Sequence, residues 1–414
     1  MLNAWLKKYL NKNRMERLAG NFTGKIGRTT RLAMDAATCV STTMPQPESP
    51  TQEMPDPDFT DTVYYRSPLR PGGKTPRLIQ RFFNQYTTAI FSCAILFGAS
   101  TSHAEQVVVY SARIEQLIKP MFDAFTKETG IDVKFVTDKE GPLLARLKAE
   151  GKNTPADMLI TVDAGNLWEA AQEGLLRPVE SKTLETNVPA YLRDPQNRWF
   201  GLSVRARTII YNTQKVKPSD LSTYEALAEP QWKGRLCLRT SKKVYNQSLV
   251  AMMIAEHGTA RTEEIIKGWV ANFAIDPLSD ETKAMEFVAA GRCDVTIANS
   301  YYYGRLMQKK PALPLAIFWP NQEGSGVHVN ISGAGITKYA HNVPAATRLL
   351  EFLSSEKAQN LFADVNMEYP VNPKVKPDPA VAAWGTFKQN TINVTKAGEL
   401  QSEAVKLMDR AGYR

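Results

Sequence analysis

Between residues 105 and 177, short apolar runs alternate along the chain with segments whose apolar residues recur at helical spacing. Apolar runs at 107–110, 132–136 and 157–161 predict three strands. Apolar residues recur at helical spacing between them, at Leu117, Met121, Phe122 and Phe125 and again at Leu143, Leu144 and Leu147. Strands that alternate with helices in this way predict a parallel sheet covered by helices on both faces. The turn after the first strand lacks the glycine-rich pattern of a dinucleotide site, so we expect no dinucleotide there.

A second α/β block follows, and two long extended runs connect it to the first. Its predicted strands lie at 235–239, 293–298 and 313–318, and its predicted helices at 246–256, 260–272, 281–290 and 302–309. Three further helices, at 344–354, 356–364 and 401–411, close the chain. The extended runs at 200–211 and 327–334 are long enough to cross between the blocks. We therefore divide the chain into a first lobe of 105–203 plus 327–414 and a second lobe of 204–326. Two lobes joined by two crossings enclose a cleft, which is where a ligand would bind.

The first hundred residues have a different pattern. Residues 45–58 carry repeated prolines and almost no apolar side chains, so we expect 1–73 to be a disordered extension or the product of a misassigned start. A basic leader at 74–81 and an uncharged apolar stretch at 87–100 follow, and Ser-His-Ala ends the segment at Ala104. This is the order of a secretory signal, and its apolar core is too short to span a bilayer. We predict a signal peptide over 74–104 and a mature protein that begins at Glu105.

The net charge of +9 is concentrated before residue 105. Residues 1–104 carry 13 Lys and Arg against 7 Asp and Glu, whereas the remaining residues carry 38 against 35. No run of five or more basic residues occurs in that larger part. Nucleic-acid binding is therefore not expected. No nucleophile elbow, catalytic triad order or paired acid motif stands out either, so we expect a binding protein and not an enzyme.

Two cysteines, Cys237 and Cys293, remain in the exported part. A lone pair in an oxidising compartment often forms a disulfide. Both cysteines lie in predicted strands, so a bridge requires that these strands be neighbours. Two buried free thiols are the alternative.

Tyrosines follow two predicted strands of the second lobe. The segment 299–303, Asn-Ser-Tyr-Tyr-Tyr, comes directly after the strand at 293–298, and Tyr245 opens the helix after 235–239. The carboxyl ends of strands in an open α/β sheet face the ligand crevice, and the free N–H groups at a helix start can hold an anion. Consecutive tyrosines point in different directions, so at most two of the three converge; aromatic packing is the alternative interpretation. Phenolates are hard anionic donors, and three of them balance the charge of a ferric ion.

Several segments taken together resemble the ferric-iron-binding subgroup of the bacterial substrate-binding proteins that serve ABC transporters. The segments are Val-Val-Val-Tyr-Ser-Ala-Arg at 107–113, Thr-Pro-Ala-Asp at 154–157, Glu-Gly-Leu-Leu at 173–176, Trp-Lys-Gly-Arg at 232–235, Tyr-Asn-Gln-Ser at 245–248, Asn-Ser-Tyr-Tyr at 299–302 and Glu-Tyr-Pro-Val-Asn-Pro at 368–373. The resemblance covers 105–414 and implies an α/β, two-lobe periplasmic-binding-protein fold of type II. Each lobe would be a Rossmann-like sheet flanked by helices, with two extended hinge crossings. It also implies a monomeric periplasmic carrier that captures Fe(III) in the cleft and delivers it to an ABC-transporter permease.

The resemblance also assigns iron ligands. In the family an adjacent tyrosine pair and one earlier tyrosine bind iron, and these map to Tyr301, Tyr302 and Tyr245. Tyr303 would then be a wall or packing residue.

The chain departs from the family pattern in the first lobe. Ile114 and Glu115 stand where many relatives have a His or Tyr ligand, and Asp163 follows the third strand where some have a Glu ligand. Glu115 is a possible ligand or an exposed carboxylate at a helix start. Water or an anion such as carbonate would fill the remaining positions, and Arg113 or Arg205 would pair with that anion, the alternative being a surface salt bridge. The alternative function is binding of a small organic cation, such as a polyamine or thiamine, in an aromatic box.

Overall fold

The computed structural model describes residues 105–414, with the side chains of 363–365 left out. The predicted extension (1–73) and signal peptide (74–104) lie outside the described residues. Among the residues that are described, no helix has both the length and the apolar character needed to cross a membrane.

Nine strands build the sheet of the described chain. They are β1 Gln106–Ser111, β2 Asp132–Thr137, β3 Met158–Val162, β4 Phe200–Asn212, β5 Leu236–Cys237, β6 Val295–Asn299, β7 Leu315–Phe318, β8 Val329–Ile336 and β9 Tyr369–Pro370. The strand order is β2-β1-β3-β8-β4-β6-β5, with β7 and β9 also paired to β4.

Helices cover both halves of this sheet. They are α1 Glu115–Thr129, α2 Glu140–Glu150, α3 Ala164–Gln172, α4 Lys182–Asn187, α5 Val244–His257, α6 Thr259–Ala271, α7 Glu281–Ala289, α8 Ser300–Lys309, α9 Val343–Ser354, α10 Glu356–Asn366, α11 Pro379–Ala382, α12 Lys396–Glu399 and α13 Gln401–Arg410. The helices predicted from periodicity are confirmed to within about two residues at each end. The strand predicted at 235–239 is shorter, and the sequence did not predict α3, α4, α11 and α12.

Strand β4 belongs to both halves of the sheet and carries the first crossing. Its first residues pair antiparallel with β8, from Phe200 opposite Ala334, and its last residues pair antiparallel with β6 and β7, from Arg207 opposite Asn299. Every residue of β4 is buried. The prediction that 200–211 runs from one half to the other is confirmed by this register.

The parallel arrangement predicted from the alternating pattern of 105–177 is confirmed, and antiparallel strands extend the sheet beyond it. β1 pairs parallel with both β2 and β3, and β5 pairs parallel with β6. β8 pairs antiparallel with β3 and β4 because the chain returns through it after the second half is complete. β8 is paired along its length within the first half, so the chain crosses back just before this strand, near His328. The His328 carbonyl accepts a hydrogen bond from the Arg207 N–H.

The buried apolar residues form one cluster under the first half of the sheet and two around the second. Phe122, Phe125 and Leu349 lie in the first cluster, and Trp232 and Trp269 lie in the second. The helix α13 packs its Leu407 and Met408 into that second cluster, although the sequence division grouped it with the first lobe. The division into 105–203 plus 327–414 and 204–326 stays a prediction.

A disulfide joins Cys237 to Cys293, with the two Cα atoms 5.9 Å apart. The strands β5 and β6 are neighbours, with Cys237 opposite Thr296, and both sulfur-bearing residues are buried. The bridge spans a sequence separation of 56 residues. By the chain-entropy relation, closure of a loop of this length stabilises the fold by about 4 kcal/mol, mainly by restricting the unfolded chain. The two strands that precede the tyrosine segments are therefore covalently tied together.

Candidate functional site

The tyrosines lie in the first turns of two helices that start at the same edge of the sheet. Strand β6 ends at Asn299 and α8 begins at Ser300, so Tyr301 and Tyr302 occupy the first turn of α8. Tyr245 occupies the first turn of α5, which follows β5. Because β5 and β6 are parallel neighbours, their carboxyl ends bring both helix starts together.

A cavity of about 60 Å³ opens at this edge. Residues of both sheet halves line it, namely Ala112, Arg113, Ile114, Leu117, Val162, Arg205, Tyr245, Tyr301, Tyr302, Arg305 and Glu368. Since one water needs roughly 10–15 Å³ by this measure, the cavity has room for an ion and a small anion but little more.

The three phenol groups meet at one point of the cavity. The Tyr301 hydroxyl forms hydrogen bonds with Tyr302 and with Tyr245. The rings of Tyr301 and Tyr302 are tilted by 37°, with their centroids 4.4 Å apart. Tyr301 and Tyr245 are buried, and Tyr302 is half-buried. Three oxygens of one chemical type thus face a common space.

Positive charge surrounds these phenols. The guanidinium carbon of Arg205 lies 5.3 Å from the centre of the Tyr245 ring, and that of Arg305 lies 4.9 Å from the centre of the Tyr301 ring. Burial raises the pKa of Tyr301, and the charge of Arg205 opposes that rise. The phenol is therefore neutral in the iron-free protein, while the guanidinium groups favour the phenolate once a metal displaces the proton.

The opposite wall of the cavity is built around a buried ion pair. Arg113 Nη1 donates to Glu368 Oε2 at 3.1 Å and to Ser332 Oγ at 2.5 Å, and Arg205 Nη1 donates to the same hydroxyl at 3.1 Å. Burial raises the pKa of the Glu368 carboxyl, but Arg113 and Arg205 outweigh this effect and hold the pKa below its usual range. The Nε groups of both arginines lack a hydrogen-bond partner among the described residues. Both guanidinium groups are thus buried cavity features and not surface salt bridges.

Other sequence candidates lie outside the cavity lining. Glu115 is exposed at the start of α1, whereas its neighbour Ile114 lines the cavity. The buried Asp163 carboxylate accepts hydrogen bonds from Ser248 Oγ at 2.9 Å and from Asn330 Nδ2 at 2.8 Å. Neither carboxylate is therefore directed to the point where the phenols meet.

Tyr303 is separated from the other two tyrosines of its run. Its ring packs edge-on against Trp384 with the centroids 5.9 Å apart, and its hydroxyl donates to the Leu315 carbonyl at 3.4 Å. It is a packing residue, as the family resemblance implied.

Two lining residues were missed by the sequence reasoning. Arg305 lies four residues after Tyr301 on α8, and residues four apart share a helix face, so the spacing could have predicted its place. Glu368 comes from a distant segment beside β9, and no local pattern indicates that it faces Arg113.

The chain is similar to known proteins and matches one protein-family model. The chain matches the model of the bacterial extracellular solute-binding protein family over residues 120–389. It is 46% identical to iron uptake protein A1 of Synechocystis sp. over 316 residues, which are 75% of this chain and 88% of that protein. It is 26% identical to the major ferric iron-binding protein of Neisseria meningitidis serogroup B over 325 residues, 78% of this chain and 97% of that protein.

Solved structures agree with these relatives. The structure of a Trichodesmium protein in complex with iron and citrate ligands superposes with a TM-score of 0.73 at 45% identity, over 75% of this chain and all of that one. A ferric iron-binding protein A of Mannheimia haemolytica in an open conformation gives 0.71 at 40% identity, over 75% of this chain and 99% of that one. These neighbours have the two-lobed fold that the resemblance implied, and the family match covers more than half of the sequence. The chain therefore belongs to the bacterial extracellular solute-binding protein family.

Proposed function

We propose that this protein is a periplasmic carrier, and not an enzyme, that captures Fe(III) between its lobes and delivers it to the permease of an ABC transporter. The observation that carries the proposal is the meeting of the Tyr245, Tyr301 and Tyr302 hydroxyls at one point of a small, buried, cationic cavity. Hard phenolate oxygens suit a hard trivalent cation, and a bound ferric ion lowers the phenol pKa enough to remove the proton. The names of the relatives, which refer to iron uptake and ferric iron binding, support this assignment.

A small anion completes the proposed site. Three phenolates neutralise one ferric ion, and the first-lobe side chains beside them, Ile114 and Val162, offer no ligand atom. Among the described residues, the lining further contains the guanidinium groups of Arg113, Arg205 and Arg305 but a single carboxylate, that of Glu368. The loaded site therefore has about two positive charges in excess, which favours a dianion such as carbonate or a small polycarboxylate.

The geometry argues against the organic-cation alternative. An aromatic box for a polyamine or thiamine needs an electron-rich or anionic surrounding. Here three guanidinium groups line the cavity, and they would repel such a ligand. The same charges attract an anion that arrives with the metal.

A thermal-shift comparison of candidate ligands tests the proposal. The iron-free protein is heated alone, with ferric ion supplied in citrate or bicarbonate, with spermidine and with thiamine. Ferric ion is expected to raise the midpoint of thermal unfolding, since a ligand that binds only the native state stabilises it by mass action. Stabilisation by spermidine or thiamine and none by ferric ion would contradict the proposal.

We also propose that the carrier is exported as a monomer after cleavage behind Ala104. Substrate-binding relatives act outside the cytoplasm, and the order of basic leader, apolar core and small residues fits a signal peptidase site. Intact mass measurement of the protein recovered from the periplasmic fraction is expected to give an N-terminus at Glu105. A mature chain that starts at residue 1 or 74 would refute this cleavage site.

A further inference from the structure

We infer that Arg207, Glu281 and Asn246 form a buried positioning network that holds the two tyrosine-bearing helix starts in register for one metal. The inference rests on the proposed ferric function. None of the three residues lines the cavity, so they act through the tyrosines and not as ligands.

Arg207 is the centre of the network. It lies on β4 where the strand enters the second half of the sheet, opposite Asn299, and its side chain is only 1% exposed. One terminal nitrogen pairs with the fully buried Glu281, and the other donates to Asn246 Oδ1 at 2.5 Å. A single guanidinium group thus reaches towards both tyrosine segments.

The Glu281 branch ends at the start of α8. Its Oε1 receives the Arg207 hydrogen bond, and its Oε2 accepts the backbone N–H of Asn299 at 2.7 Å. Asn299 immediately precedes α8, and Tyr301 and Tyr302 lie in the turn that follows. The position of the carboxylate therefore sets where this helix begins.

The Asn246 branch ends at the start of α5. Asn246 directly follows Tyr245, and its Nδ2 donates to the Arg239 carbonyl at 2.7 Å. The same amide group contacts the hydroxyl of Tyr413 at 2.9 Å, and that hydroxyl donates to the Arg239 carbonyl at 2.5 Å. The first turn of α5 is thereby attached to the segment that leaves β5.

A stability role alone does not explain a fully buried ion pair at this place. Removing both charges from water carries a large desolvation cost, and apolar replacements of similar volume are often equally stable. What an apolar pair cannot do is hydrogen-bond both helix starts at once. Outer-shell partners of this type orient metal ligands, and their loss typically lowers metal affinity by about 10–100-fold.

The test compares two paired substitutions. In Arg207→Met/Glu281→Met the pair is apolar, and the hydrogen bonds to Asn299 and Asn246 are lost. In Arg207→Gln/Glu281→Gln the charges are removed, but the amide that replaces the Glu281 carboxylate has the same length and can still accept from the Asn299 N–H. The shorter amide at position 207 ends where the arginine Nε was, short of the terminal nitrogen that reaches Asn246, so only the α8 branch is kept. We expect the methionine pair to remain folded with a somewhat lower thermal midpoint, because the buried Asn299 N–H loses its acceptor. It should lose at least about tenfold in ferric affinity and show a weaker or shifted visible band per bound iron. The glutamine pair, which keeps the α8 branch, should recover part of the affinity and of the band.

The matched control is Arg235→Met/Asp294→Met. That ion pair, 2.6 Å between Nε and Oδ2, lies at the opposite ends of the same two strands and does not reach the tyrosines. It should leave affinity and band unchanged.

The outcomes separate this inference from the proposed function. If the methionine variant binds ferric ion with the wild-type affinity and the wild-type band, the positioning inference is wrong and the proposed tyrosine site is unaffected. If the wild-type protein shows neither ferric affinity nor the band, both the inference and the proposed function are wrong. Should the methionine pair fail to fold, Asn246→Ala cuts the α5 branch with the ion pair in place. Wild-type affinity and an unchanged band in that variant would likewise overturn the inference.

Discussion

Tyr301→Phe is expected to lower the ferric affinity by more than the roughly 100-fold that the loss of an outer-shell partner costs. The Tyr301 hydroxyl contacts both other phenols, so its removal deletes one ligand and the central contact of the set. The ring stays packed against Tyr302 and under Arg305, so the iron-free fold should persist. Competition with a ferric chelator of known affinity measures the loss, and thermal unfolding of the iron-free protein checks the fold.

The adjacent tyrosines supply the controls for this prediction. Tyr302→Phe should give a loss of the same order, because its hydroxyl also meets that of Tyr301. Tyr303→Phe should change the affinity little, because its hydroxyl donates to the Leu315 carbonyl away from the cavity. Equal losses at all three positions would contradict the assignment of the ligands.

Acidification is expected to release the metal steeply. Burial raises the pKa of Tyr301, so this phenol is protonated in the iron-free protein, whereas the ferric complex requires phenolates. Three phenolate ligands take up about three protons when the metal leaves, so the affinity should fall about 1,000-fold for each pH unit below neutrality. The sign follows from the proton balance: the iron-free state binds more protons and is favoured as pH falls.

Proton release on loading measures the same quantity. When iron is supplied as a complex of known protonation state, the protein should release about three protons per ferric ion near neutral pH. A site built on carboxylates that are already ionised near neutral pH would release almost none. A release near zero would therefore rule out phenolate ligation.

The strand and helix pattern was sufficient to predict where the tyrosines lie. Tyr245 and Tyr301 each follow a short buried run, and the rule that strands open into the crevice at their carboxyl ends is local enough to read from one sequence. The position of Tyr303 away from the site likewise follows from the 100° step between helical neighbours. These features depend on residues only a few positions apart.

Features that depend on distant segments could not be read in this way. Arg207 and Glu281 are separated by 74 residues, and nothing near either one indicates that they form an ion pair. The apolar stripe of α13 predicts a buried helix, but it does not predict which half of the sheet the helix packs against. In the structure α13 packs against the second half. For Cys237 and Cys293 the sequence left a bridge and two free thiols open, because the choice depends on β5 and β6 being neighbours.

The visible absorption spectrum of the protein loaded with one equivalent of ferric ion tests the central claim most directly. Coordination of ferric ion by Tyr245, Tyr301 and Tyr302 predicts a tyrosinate-to-iron charge-transfer band that scales with bound iron. The band should disappear on reduction in the presence of a ferrous chelator, because Fe(II) is softer and neutralises one phenolate fewer. A protein that holds stoichiometric ferric ion and stays colourless would contradict the tyrosine site.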